Sequence, residues 1–193
     1  VWYSAVIGSG DGATIDASAL GAIPWPPNAT KAPNNYMAVA IVRGGRNAVR
    51  NLRLIANNTG SSVAVNESPN AEIAHCDIGG RSAEAMEVGR CVWTLATETA
   101  LVHDNHIHHC TMHALDFDAF TSRSVAWSNL VELNGEEGIF IEESAHDNVV
   151  FNNTCRRNAG SGIGVYSNVV GPVAQNTIVA NILLFNGGDA LSA

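Results

Sequence analysis

Asn105, Asn129, Asn153 and Asn181 stand 24, 24 and 28 residues apart, and a second column, Asn134, Asn158 and Asn186, repeats the last two steps. Apolar positions keep the same spacing. Ile107, Val131, Cys155 and Leu183 follow the first asparagine column by two residues, and Leu115, Ile139, Ile163 and Leu191 follow eight later. Val102, Ala126, Val150 and Ile178 precede it by three, and Ile73, Ile78, Met86 and Val88 extend the frame one repeat earlier with a step of 29. Columns that agree independently on one period indicate a repeat architecture. A helical repeat would need runs of roughly 10–12 residues at period 3.6, and the chain has none. Short apolar-x-apolar stretches bounded by Asn and Gly instead predict short strands, one coil of chain per repeat. Inward residues then stack on the same column of the next coil, about 4.8 Å away. Asparagine is expected at the corners, because it tolerates the left-handed backbone region and its amide can hydrogen-bond along a stack.

Composition agrees with such a coil. Only 15% of the 193 residues are charged and 6% are aromatic, while 20 are Asn and 18 Gly. The length fits one domain over 1–193, with residues 17–36 (Pro24-Trp25-Pro26-Pro27-Asn28 within them) expected as an irregular loop excursion on the outside. Eighteen acids oppose ten bases, Lys31 is the only lysine, and the net charge of −8 argues against nucleic acid as a partner. No apolar run approaches the ~18 residues of a membrane span, so no membrane insertion is expected. Cys76, Cys91, Cys110 and Cys155 lack zinc-like spacing; their even number permits disulfides in an oxidising compartment without fixing the pairing. Four Asn-X-Ser/Thr sequons, at Asn28, Asn57, Asn66 and Asn152, are close to what chance gives in so Asn-rich a chain.

These columns resemble the right-handed parallel β-helix proteins of the pectate-lyase-like type. Gly8-Ser9-Gly10-Asp11-Gly12-Ala13-Thr14-Ile15-Asp16 is similar to their opening coil, and Ala40-Ile41-Val42-Arg43-Gly44 with Val49-Arg50-Asn51-Leu52-Arg53-Leu54 to the next. The expected fold is an all-β right-handed parallel β-helix of six to seven coils. Leu191-Ser192-Ala193 stops within a strand, and a solenoid needs caps at its ends. A window on a longer helix is therefore expected, with neighbouring coils or domains as partners. The resemblance implies a secreted or cell-surface protein and a polysaccharide or glycan partner, handled by a lyase, epimerase or hydrolase. The alternative is a non-catalytic structural solenoid of a cell-surface or fibrous glycoprotein.

Strand alternation places candidate chemistry on the outer face. With Leu115 and Phe117 inward, Asp116 and Asp118 face outward. Glu87 is expected beside Asp116 one coil earlier, Glu142 beside Asp118 one coil later, and Tyr166 beyond Glu142. Glu143 follows at the corner, and His113 and His146 flank the strands. Nine of the 18 acids lie between Asp104 and Asp147, where Arg123 is the only basic residue. Stacked carboxylates raise each other's pKa, so Asp116, Asp118 and Glu142 are the candidate catalytic residues, with Asp118 and Glu142 as acid and base. Glu87, Glu143, His113, His146 and Tyr166 are candidate substrate contacts. Loops leaving after Val88 and Val165 would wall a groove over them. A solvated acidic face is the plainer reading of the same residues. Uronate epimerases of this fold carry an Asp-Pro-His type motif where this chain has Asp116-Phe117-Asp118, and an Arg where it has Glu143. Calcium-dependent pectate lyases hold Ca2+ on acidic clusters; Asp116, Asp118, Glu142 and Glu143 offer such oxygens, but no Arg base is evident nearby.

A second cluster gathers five of the seven histidines between His103 and His113. His106 and His108 project from one face, with Glu132 stacked beside His108, a candidate Zn2+ set. A plain polar face is the plainer reading of the pattern, and a contact that depends on the histidines charging together below about pH 6 is a third.

Overall fold

The computed structural model describes residues 5–7, 13–16, 37–42, 45–55, 61–79, 89–167 and 171–192. The expected loop at 17–36 lies outside these residues. Each coil contributes one strand to each of three parallel sheets, and each sheet has seven strands. The first sheet runs Ala5–Ile7, Ala48–Arg50, Glu72–Ala74, Leu101–His103, Val125–Trp127, Val149–Phe151 and Thr177–Val179. The second runs Thr14–Asp16, Arg53–Ile55, Asp77–Gly79, His106–His108, Leu130–Glu132, Thr154–Arg156 and Ile182–Leu184. The third runs Met37–Val42, Ser61–Asn66, Val92–Leu95, Leu115–Phe117, Ile139–Glu142, Ile163–Tyr166 and Leu191–Ser192. No helix occurs among the described residues.

The repeat dictates the register. Ile78, Ile107, Val131, Cys155 and Leu183 are successive partners in the second sheet, and Ile73, Val102, Ala126, Val150 and Ile178 in the first. These columns meet Leu115, Phe117, Ile139, Ile141 and Ile163 in one continuous core. Each such aliphatic contributes roughly 1.5–3 kcal/mol by leaving water, so the three-residue strands are held by what lies beneath them more than by their own length.

One expected column is displaced. Leu115 pairs with Val92, not with Met86, and Phe117 pairs with Thr94, not with Val88. The additional residues of that coil therefore stand between Asp77–Gly79 and Val92–Leu95, before the third-sheet strand rather than after it.

The asparagine columns are hydrogen-bonded ladders. Asn105 Nδ2 donates to Asn129 Oδ1 at 3.0 Å, Asn129 to Asn153 at 2.9 Å and Asn153 to Asn181 at 3.1 Å. The same amides donate to Ile73, Val102 and Ala126 carbonyls, while each Oδ1 also accepts a backbone N–H from the coil before. The second column does likewise through Asn134, Asn158 and Asn186. A third corner, Ser124–Asn148–Asn176, uses the same device and was not visible in the spacing because serine fills one rung. The left-handed backbone falls on the residue before each ladder position: Asp104, Ser128, Asn152 and Ala180 have φ of 54°, 53°, 54° and 54°. Ladder asparagines are thus selected for their amide, and the strained corner is borne by a neighbour of almost any type.

Candidate functional site

Residues Met112, His113, Gly135, Glu136, Glu137, Phe140, Glu142, Ala159, Gly160 and Tyr166 line an open groove of ≈ 580 Å³. It lies where the turns entering the third sheet meet that sheet's outer face. Its floor is aromatic: the His113 ring stacks on Phe140 at 4.1 Å between centroids, and Phe140 lies 6.5 Å from Tyr166 at 17° between planes. Gly164 makes this possible, since it pairs with Phe140 and a Cβ there would come within 2.8 Å of the ring. Tyr166 pairs with Glu142 as the repeat predicts, and it is 54% exposed.

Of the candidate catalytic carboxylates, only Glu142 lines the groove. Asp116 and Asp118 lie on the outer side of their strand as expected, yet they are 0% and 7% exposed. Asp116 faces Trp93 on the preceding coil and Phe140 on the next, so the neighbour expected to be Glu87 is Trp93; Glu87 itself lies outside the described residues. The Arg90 guanidinium pairs with Asp116 through Nε and reaches Glu142 Oε1 at 3.6 Å through Nη2. It also lies 5.6 Å from the centre of the Trp93 ring. Trp93 Nε1 donates to Asp118 Oδ2 at 2.7 Å, and the Ala119 backbone N–H donates to Asp118 Oδ1 at 2.6 Å. The expectation that no arginine stands near these acids is therefore corrected. Arg90 was missed because the strand after it was placed at Met86–Val88; the alternation Val92-Trp93-Thr94-Leu95 was the signal for the true strand.

The electrostatics follow from this burial. Desolvation raises the Asp116 carboxyl well above its ordinary range, opposed by Arg90, and Asp116 Oδ1 is buried without a hydrogen-bond partner. Glu142 is pushed up to about 7, first by burial and then by Asp118, with Arg90 acting against them and Glu143 adding to the rise. Glu143 sits at the corner after the strand with φ 49°. Burial lowers the His113 imidazole, while Glu136 and Glu137 oppose that shift. His113 Nδ1 lies 2.9 Å from Glu137 Oε2 and 3.3 Å from Glu136 Oε2. One polar atom each from His113, Asp116 and Glu142 fall within 4.8 Å of one another. His146 is not brought to the groove; its ring is paired with Asp147 at 2.9 Å.

A calcium site on Asp116, Asp118, Glu142 and Glu143 does not fit these residues. Arg90 already occupies the position between Asp116 and Glu142, and both Asp118 oxygens accept hydrogen bonds. In the histidine cluster, Glu132 stacks on His108 by register as expected, but its carboxylate turns to Arg156 Nε at 2.6 Å and to His106 Nε2 at 3.0 Å. Asp77, one coil earlier, is the acid that joins His106 and His108. Trp127 stacks between His103 and Phe151 on the outer face of the first sheet. On the neighbouring coil, Arg50 is paired with Glu72 and Arg53 with Asp77. Cys91 and Cys110 form a disulfide, and Cys76 and Cys155 are buried free thiols.

Three parallel sheets wound from one-coil repeats, with a groove across one face, define a parallel β-helix. The chain matches the model of the right handed beta helix region over residues 38–192 and belongs to that family. No curated protein matches it in sequence. Among solved structures, it is similar to the A-module of the mannuronan C-5 epimerase AlgE6 of Azotobacter vinelandii, with TM-score 0.63 and 16% identity over 76% of this chain and 47% of that one. The A-module of AlgE4 from the same organism gives 0.57 and 18% over 76% and 48%. The chain thus spans about half the length of these modules, and the likeness is one of fold.

Proposed function

We propose that this β-helix binds a glycan chain in the groove over Phe140, Glu142 and Tyr166 and that Glu142 performs an acid–base step on it. The observation that carries this reading is a carboxyl held near pH 7 beside an aromatic floor open to solvent. Flat apolar rings flanked by polar groups suit sugar faces, and a group half-protonated at neutral pH serves as general acid or base. His113, kept neutral by burial and within reach of Glu142, is the accompanying proton acceptor. Asp116 and Asp118 do not touch the substrate in this reading. Added to burial, Asp118, held by Trp93, raises the Glu142 pKa, while Arg90, paired with Asp116, opposes that rise and reaches Glu142 Oε1.

The lining also favours a substrate class. It contains Glu136, Glu137 and Glu142, and no Lys or Arg is among its described residues. Proton removal next to a uronate carboxylate needs a cation to relieve the developing charge, and Arg90 is engaged by Asp116 and Glu142. Neutral or amino-substituted sugars therefore fit better than a free polyuronate. The buried disulfide supports a secreted or cell-surface setting, since such bonds persist in oxidising compartments.

The test is a panel of neutral, amino-sugar and uronate polysaccharides incubated with wild type, Glu142→Gln and Tyr166→Ala. New reducing ends from a neutral or amino-sugar polymer, lost in Glu142→Gln, are expected. Turnover that survives Glu142→Gln, or the absence of binding to every polymer, overturns the reading.

A further inference from the structure

Away from the groove, on the outer face of the second sheet, three side chains from two coils converge. Asp77 Oδ1 lies 2.7 Å from His108 Nε2 and 3.6 Å from His106 Nδ1, and the two imidazole centroids are 4.4 Å apart. The strand alternation puts both histidines on one face, and the register places Asp77 beside His106 in the preceding coil. In a tetrahedral site with ~2.0 Å bonds, neighbouring ligand atoms are separated by about 3.3 Å. The two observed separations bracket that edge.

The surroundings hold these three atoms toward one point. The far nitrogen of His106, Nε2, contacts Glu132 Oε1 at 3.0 Å, and Glu132 is anchored through its other oxygen by Arg156. The far nitrogen of His108, Nδ1, contacts His109 Nδ1 at 2.6 Å. Asp77 divides in the same way, with Oδ2 facing Arg53 at 3.4 Å and Oδ1 facing the histidines. An imidazole whose second nitrogen is held by a carboxylate is the arrangement that fixes tautomer and orientation in metal sites. Gly79, paired with His108, completes it: a Cβ there would stand 2.0 Å from the His108 carbonyl oxygen and 2.9 Å from Nδ1, so only glycine lets this ring lie across the neighbouring coil.

We propose that His106 Nδ1, His108 Nε2 and Asp77 Oδ1 bind a divalent transition-metal ion, zinc or cobalt, with Glu132 as the partner that orients His106. Two nitrogens and one hard oxygen on an open face suit a tetrahedral ion with solvent in the fourth position. Calcium and magnesium prefer all-oxygen sets and are excluded by the same donors. The site is on a different sheet from the groove and does not depend on the function proposed for it.

The experiment is calorimetric titration of Zn2+ into the tag-free, chelator-treated 193-residue chain, repeated with Co2+ while following its visible absorption. One ion per chain is expected, with a tetrahedral cobalt spectrum. His108→Ala and Asp77→Asn should abolish binding, whereas Glu132→Gln should weaken it about 10- to 100-fold while leaving the stoichiometry intact. A second cluster, His75, His103 and Asp104, provides the internal control. The proposal is overturned if wild type binds neither ion, or if binding persists in His108→Ala and is lost on His103→Ala instead.

Discussion

Arg90 is ion-paired with Asp116, whose side chain is wholly excluded from water while that of Arg90 remains 25% exposed. The pair explains how a coil can carry several acids on adjacent strands without flying apart. Arg90 opposes the desolvation of the Asp116 carboxyl, and breaking such a buried pair by removing one partner costs about 3–5 kcal/mol. Arg90→Met is therefore expected to lower stability by about that much in chemical denaturation followed by circular dichroism. Arg90→Met with Asp116→Leu should recover most of the loss. A double variant no more stable than the single one would contradict this account of the pair.

Glu142 makes stability depend on pH in an unusual direction for a carboxylate. Its folded pKa of about 7 lies above the ordinary 4.5, so between these values the folded state holds a proton that the unfolded chain releases. The associated stability is complete below about pH 4.5 and is lost as pH rises through 7. At ~1.4 kcal/mol per unit the effect is at most about 3–4 kcal/mol. Glu142→Gln should flatten the melting-temperature profile between pH 4.5 and 7.5 relative to wild type. Parallel profiles for the two proteins would show that Glu142 titrates normally.

Asn129 and Asn152 separate the two roles first assigned to asparagine. The Asn129 amide serves Val102 and Asn153, and its oxygen serves Asn105, all of them buried. Asn152 is exposed, has φ 54°, and bonds only to Ser128 Oγ among its described contacts. At ~1–3 kcal/mol per buried group left unsatisfied, Asn129→Ala should cost about 2–4 kcal/mol. Asn152→Gly should be neutral within about 1 kcal/mol, because glycine accepts positive φ freely. Urea titrations of the two variants provide the comparison.

The cysteines should divide two and two. Cys91–Cys110 closes a loop of sequence separation 19, for which chain entropy gives ~3 kcal/mol. Cys76 and Cys155 are buried, and burial pushes the Cys155 thiol up to about 12. A thiol-reactive dye should therefore label no cysteine in the native protein, two in denaturant and four after reduction in denaturant. Two fast-reacting thiols in the native protein would contradict the assignment.

The fold was legible because it is written as a period: an error of a residue or two within one repeat does not disturb columns that agree across three others. The site was less so. Tyr166 beside Glu142 followed from the repeat, but Arg90 and Trp93 did not, because the coil from Asp77 to Leu95 breaks the spacing and offers Met86-x-Val88 as a competing strand. Burial of Asp116 and Asp118 was equally hidden, since alternation says which side of a strand a residue occupies and nothing about what covers that side. His106 and His108 were identified as a pair from their spacing, whereas Asp77 over Glu132 depended on side-chain direction: Glu132 meets the far nitrogen of His106, while Asp77 Oδ1 faces both rings.

The most direct test of the central claim is where a sugar chain sits. Ring signals of selectively labelled phenylalanine and tyrosine can be followed by NMR during titration with neutral and amino-sugar oligosaccharides. Phe140 and Tyr166 should shift and saturate together, Phe151 on the first sheet should remain still, and Glu142→Gln should bind with the same pattern. An oligosaccharide that saturates the protein while Phe140 and Tyr166 stay unmoved would contradict the assignment of the groove.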